Sequence, residues 1–233
     1  MSDPAVRNIE RLLPPLLRAL ETLGLIGRYL NPPEVASVLD NVGAPDAELR
    51  AARASEPWPE PFSALGAQLD TAADHALAAF EGLRLAATDP GATLELFKAM
   101  RYVPKALEAL YPLTRILPPV NLFFLDAARR KDPDFHRRFL DLPRGQTGVI
   151  RFGDDPDARQ TVWAYVPETY SPDVAHPLVM ALHGGSGRGR YFLWSWLRDA
   201  RSRGAILVAP TSLGQTWAIE GEDNDSPHLA SIL

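Results

Sequence analysis

The stretch Pro177-Leu178-Val179-Met180-Ala181-Leu182-His183-Gly184-Gly185-Ser186-Gly187 decides the reading of this 233-residue chain. Residues 177–182 form a continuous apolar run, the pattern of a strand buried on both faces, and the glycines that follow let the backbone turn sharply. Downstream, Tyr191 to Arg203 reads as a helix with Phe192, Leu193, Trp196 and Leu197 inward, stopped by Gly204. Ala205 to Ala209 is a second two-sided apolar strand, closed by Pro210. Strand, helix and strand at this spacing predict a right-handed parallel βαβ unit. Upstream, Thr147 to Phe152 and Thr161 to Val166 alternate with period two around the polar turn Asp154-Asp155-Pro156-Asp157. Val162, Ala164 and Val166 fall on one face and Trp163 and Tyr165 on the other, so the pair reads as a β-hairpin.

A glycine-rich loop at the C-terminal end of a strand leaves backbone N–H groups exposed. Such groups stabilise the oxyanion that develops during acyl transfer, and a side chain on Gly185 would crowd the approaching carbonyl. The same residues also suit a plain glycine turn in another doubly wound fold, including one that binds phosphate at the helix N-terminus. They do not suit a P-loop, because no Gly-Lys-Ser/Thr follows.

A hairpin, an apolar strand ending in His183-Gly184-Gly185, a helix, and a strand ending in Ala209-Pro210 together resemble the first half of an α/β-hydrolase. The details are similar to the phospholipase/carboxylesterase, dienelactone-hydrolase and polyhydroxybutyrate-depolymerase-like group, which shares the style of the Ala209–Trp217 segment and of the acidic stretch from Glu222 to Leu233. The resemblance covers residues 146–233. It implies an esterase-type serine hydrolase whose oxyanion hole draws on Gly184, Gly185 and Ser186, with N–H groups facing an open cleft. It implies a structural role for His183, bracing the loop, because the catalytic base of that group lies late in the chain. The implied ligand is a small-molecule ester, with no cofactor.

No serine here matches the nucleophile elbow G-x-S-x-G. Ser186 has Gly184 before it but Arg188 in the last position, Ser195 lies inside a helix, and Ser212 lies in a loop after Pro210. Asp225 and His228 could suggest an acid–base pair; the simpler reading has Asp225 or Ser226 capping a helix that begins at Pro227 and runs to Leu233. The chain therefore carries the oxyanion loop without a recognisable Ser-His-Asp triad, as a truncated, degenerate or incomplete hydrolase would. The strand at 177–182 would then have an unpaired apolar edge, which recruits other chains. A homo-oligomer or poor solubility is expected unless the N-terminal helices cover that edge.

Residues 5–140 follow a helical period. Val6, Ile9, Leu12, Leu13, Leu16, Leu17 and Leu20 recur at three- and four-residue steps, interrupted by Pro14-Pro15, where a kink or break is expected. Pro32-Pro33 starts the next short helix, and Arg53–Pro61 reads as a loop. Further helices are expected at 65–89, 92–102 and 105–116. Two regions result: 1–145, all helical, and 146–233, a partial α/β-hydrolase domain. The alternative to the hydrolase is a non-catalytic fragment whose helical part serves as an interaction module; Arg7–Leu30 reads as a core-packing helix rather than a membrane-surface one. His75 and His136 read as solvent-facing rather than as metal ligands.

The formal net charge of -5 argues against nucleic acid as the partner. With no cysteine, there is no disulfide and no thiolate site. The N-terminus is no secretory signal and no run approaches a membrane span, so a cytoplasmic location is expected.

Overall fold

The computed structural model describes residues 3–53, 57–89, 93–140 and 146–232. The middle of the Arg53–Pro61 loop, the Pro90-Gly91 turn, the change of pattern at Leu142 and the last residue, Leu233, lie outside them. The chain is mixed α/β and forms two compact units, residues 1–121 and 122–233. The division by packing thus falls earlier than the change of period near 145.

The first unit is helical: α1 (Pro4–Arg28), α2 (Val35–Val42), α3 (Pro45–Arg53), α4 (Ser63–Thr88), α5 (Thr93–Met100) and α6 (Tyr102–Leu110), followed in the chain by α7 (Pro118–Phe123). The Asp3 carboxylate accepts the Ala5 N–H at 2.7 Å and starts α1, with Pro4 at its first position. The expected break at Pro14-Pro15 does not occur. The carbonyls that lose their partners there belong to Glu10 and Arg11, which are both exposed, so water can serve them. The buried stripe of α1 is Ala5, Asn8, Leu12, Leu16, Ala19, Leu23 and Ile26, whereas Val6 faces out. Helix α4 packs against α1, α2, α3, α5 and α6. Its inner face is rich in alanine (Ala72, Ala73, Ala76, Ala79), and small side chains let neighbours approach closely. A Cβ on Gly82 would sit 2.7 Å from that of Ala99, and one on Gly66 would enter the Trp58 ring. Arg84 and Asp46 form an ion pair at 2.5 Å that ties α4 to α3. Among the described residues no helix is long and apolar enough to cross a membrane.

The second unit holds a four-stranded sheet of order β1-β2-β4-β3: β1 (Gly148–Phe152), β2 (Val162–Val166), β3 (Leu178–Met180) and β4 (Ile206–Ala209). β1 and β2 pair antiparallel as the predicted hairpin, β2 and β4 pair antiparallel, and β3 and β4 run parallel. Helix α9 (Gly189–Arg203) links β3 to β4 and packs on β2 and β4. It ends at Gly204 in the left-handed conformation, φ 65°.

β3 corrects one expectation. It is not buried on both faces: Leu178 is 53% exposed, because β3 forms an edge of the sheet. In α9, Trp194 rather than Trp196 turns inward. Trp194 meets Phe124 from the segment ahead of the sheet, with ring centroids 6.3 Å apart. In the same segment the Asp126 N–H donates to Ser202 Oγ at 2.8 Å, and the Arg198 guanidinium lies over Phe123. These contacts explain why residues 122–140, including α8 (Pro133–Leu140), group with the sheet despite their helical pattern.

One face of the sheet carries Val162, Ala164 and Val208, with Ile232 of α10 (Asp225–Ile232) packed against them. On the other face, Tyr165 donates to Glu168 at 2.5 Å, and Glu168 pairs at 3.0 Å with Arg201 of α9. Both charges are buried, at 6% and 3% exposure, so the pair compensates groups that neither water nor a lone hydrogen bond could.

Candidate functional site

Three loops meet at one end of the sheet. β2 runs antiparallel to β4, so its start lies beside the C-terminal end of β4. The hairpin loop 153–161, the loop after β3 (181–188) and the loop after β4 (210–224) therefore converge, and hydrogen bonds stitch them together.

The loop after β3 is a tight turn. Gly187 N–H donates to the Gly184 carbonyl at 3.0 Å, closing a four-residue turn. The residue with positive φ is Ser186, at 58°, not a glycine. A serine in that region costs on the order of 1 kcal/mol. Gly187 is required sterically: a Cβ there would lie 2.9 Å from both the Gly184 oxygen and His183 Nδ1. Gly189 is required more strongly, since its Cβ would fall 2.0 Å from the Ala209 carbonyl oxygen. This close approach seats the start of α9 directly on the end of β4.

His183 is 3% exposed, and both ring nitrogens are used. Ser212 N–H can only donate, so Nε2, at 3.0 Å, must accept. The neutral ring then carries its proton on Nδ1, which donates to the Gly184 carbonyl at 2.7 Å. The Nε2 lone pair is spent on a backbone N–H, so the ring cannot take a proton from a nucleophile without breaking that bond. Trp217 stacks on His183, with centroids 4.9 Å apart, and its indole N–H donates to the His183 carbonyl at 2.7 Å.

The three residues of the expected oxyanion hole separate here. Ser186 N–H donates to the Gln215 carbonyl at 3.1 Å and is committed. Gly184 and Gly185 are exposed, and their N–H groups meet no acceptor among the described residues. A Cβ on either would meet open space.

The serines and the C-terminal acid–base candidates do not assemble into a triad. Ser212 is fully buried, and its hydroxyl donates to the Gly214 carbonyl, so its contact with His183 runs through the backbone N–H alone. Asp225 does not meet His228. Its two oxygens accept the N–H groups of Leu213 at 2.9 Å and Ala218 at 2.7 Å, so it braces the loop after β4. The helix cap is Asp223, whose Oδ1 accepts the Ser226 N–H at 2.9 Å, and α10 begins at Asp225 rather than at Pro227. This hydrogen bonding to Ser226 holds the Asp223 carboxyl below its ordinary value.

Sequence reasoning missed Arg159, Thr211 and the brace by Asp225. Arg159 Nη1 donates to the carbonyls of Ser212, at 2.9 Å, and Gly214. Thr211 Oγ1 accepts the Gly189 N–H at 3.0 Å. No spacing signals such bonds, because Arg159 and Thr211 reach partners 22 to 55 residues away and Asp225 reaches back across an irregular loop.

Elsewhere, His75 is half-buried against Tyr102. Burial first, and then the nearby Lys105 charge, push its pKa below the ordinary histidine value. His136 Nε2 donates to the Arg129 carbonyl.

Compared with protein-family models, curated proteins and solved structures, the chain matches none of them.

Proposed function

We propose that residues 146–233 supply the oxyanion-hole half of an acyl-transfer site of α/β-hydrolase type, in a serine-dependent carboxylic-ester hydrolase. No serine among the described residues is assigned as its nucleophile. The observation that carries the reading is the adjacent pair of N–H groups of the exposed residues Gly184 and Gly185, which meet no acceptor among the described residues, on the loop that leaves β3. Backbone donors held in place before the reaction can stabilise a developing alkoxide without reorganising. Here the holding is done by His183, whose Nδ1–H fixes the Gly184 carbonyl, and by Gln215, which fixes Ser186. The positive φ of Ser186 fits a turn under local strain, as functional loops often are. The edge position of β3 also supports the reading, since it leaves room for a further strand bearing an elbow serine.

The chemistry assigns the chain's own groups a limited part. Gly184 and Gly185 bind the carbonyl oxygen of the ester and strengthen their hydrogen bonds as it becomes an oxyanion. The nucleophile and its base are not assigned to this stretch, since among the described residues no serine hydroxyl meets a histidine ring: Ser171 and Ser212 reach His176 and His183 through their backbone N–H groups alone.

The test is a polypeptide read in frame past codon 233. It is expected to contain G-x-S-x-G and to hydrolyse p-nitrophenyl esters. Gly185→Pro, which deletes one donor, should lower kcat by about a hundredfold. A frame without such a serine, or full turnover in a folded Gly185→Pro variant, would overturn the proposal.

A further inference from the structure

We propose that Arg159 binds an anionic group, a carboxylate or a phosphate, on the ligand of this loop cluster. The inference deepens the esterase reading, for which it means an acyl or alcohol portion bearing a negative charge.

The argument begins with what the guanidinium has spent. Its Nη1 donates to two backbone carbonyls, those of Ser212 and Gly214. An arginine has five N–H donors in a fixed planar fork, so Nε and Nη2 keep three, and these meet no acceptor among the described residues. Arg159 also makes no ion pair there. The nearby acids are otherwise engaged or apart: Asp157 pairs with Arg190 at 3.0 Å, and Asp155 accepts the Asp157 N–H at 2.9 Å. Asp154 is exposed and makes no ion pair with it. A half-buried cation remains, held by neutral oxygens, with the bidentate edge of its fork unused.

Its place connects it to the turn after β3. Gly214, which it grips, precedes Gln215, whose carbonyl receives the Ser186 N–H at 3.1 Å. The guanidinium and the free N–H groups of Gly184 and Gly185 are thus fastened to one hydrogen-bonded framework, and all of them favour negative charge. Anchoring through Nη1 removes much of the side-chain entropy that binding would otherwise cost, and a planar fork suits a carboxylate or phosphate better than an ammonium does.

The test is isothermal titration of the 233-residue chain at low ionic strength with inorganic phosphate and with monomethyl succinate. Saturable binding of at least one is expected. Arg159→Gln should weaken it about tenfold or more, and Arg159→Lys, which keeps the charge without the fork, should restore it only in part. Arg151→Gln, at an exposed position on β1, should leave it unchanged. A thermal melt of each variant establishes folding, and should Arg159→Gln unfold, Arg159→Lys decides by weaker binding than wild type. No saturable binding, or equal binding after a change at Arg159, overturns the proposal. A second arm compares a neutral with a hemisuccinate p-nitrophenyl ester on the in-frame longer polypeptide. No turnover of either, with anion binding intact, sinks the esterase reading alone; turnover without anionic preference sinks this one.

Discussion

Adding one methyl group at each of two glycines, Gly185 in the loop after β3 and Gly189 at the start of α9, should have opposite effects. At Gly189 the new Cβ falls 2.0 Å from the Ala209 oxygen and 2.7 Å from both the Ala209 carbon and the Pro210 oxygen. All three are backbone atoms, and none can rotate away. A carbon needs about 3.3 Å from an oxygen, so α9 and the end of β4 must part by about 1.3 Å. Overpacking of this kind costs about 1–3 kcal/mol. The shift also strains the Gly189 N–H bond to Thr211 Oγ1, worth about 1 kcal/mol. Gly189→Ala should therefore destabilise the second unit by about 2–4 kcal/mol. At Gly185 the Cβ meets nothing and φ is not positive, so Gly185→Ala should stabilise by about 0.4–1 kcal/mol through the unfolded chain. The assay is urea unfolding followed by tryptophan fluorescence, which reports mainly on the second unit because Trp163, Trp194, Trp196 and Trp217 all lie in it. The midpoints should bracket that of the wild type, provided the slopes agree. Equal midpoints for the two variants would refute the close packing of α9 on β4.

Glu168→Met leaves Arg201 buried without its carboxylate and should cost about 3–5 kcal/mol, whereas the double variant with Arg201→Met should recover most of it; urea midpoints decide. Asp225→Asn turns one acceptor into a donor facing the N–H of Leu213 or Ala218, and should cost about 1–3 kcal/mol by the same measurement. His75 has a folded pKa below its unfolded value, so the unfolded chain binds the proton more readily. Stability from this residue is then present above the unfolded pKa and falls as pH drops through it toward the folded value. His75→Gln should flatten that part of the stability–pH curve, and a slope unchanged by the substitution would refute the assignment.

Much of the second unit's topology was legible because it depends on local periodicity. The alternation in Thr161–Val166 and the apolar runs at 177–182 and 205–209 specify which faces must leave water, and a helix of that length between two strands favours parallel pairing. The first unit's helices were legible for the same reason, with α3 missed because Pro45 to Arg53 is short and polar. Pro14-Pro15 does not end α1, because the cost of proline depends in part on whether the freed carbonyls face water, which the folded helix decides.

At the site, local pattern and tertiary placement divide clearly. The run His183-Gly184-Gly185-Ser186-Gly187 by itself determined that a sharp, donor-rich turn follows a strand, because glycine leaves the backbone free to turn; that only Gly187 of its three glycines is held by close neighbours was decided by the fold. Which donors remain free could not be read from that run. Ser186 loses its N–H to Gln215, His183 Nε2 is occupied by the Ser212 N–H, Asp225 serves Leu213 and Ala218, and Arg159 grips Ser212 and Gly214. Each partner lies between 7 and 55 residues away in the chain. A hydrogen bond is satisfied by whichever acceptor arrives within reach, and for these groups it was the convergence of three loops at one end of the sheet that decided the partner.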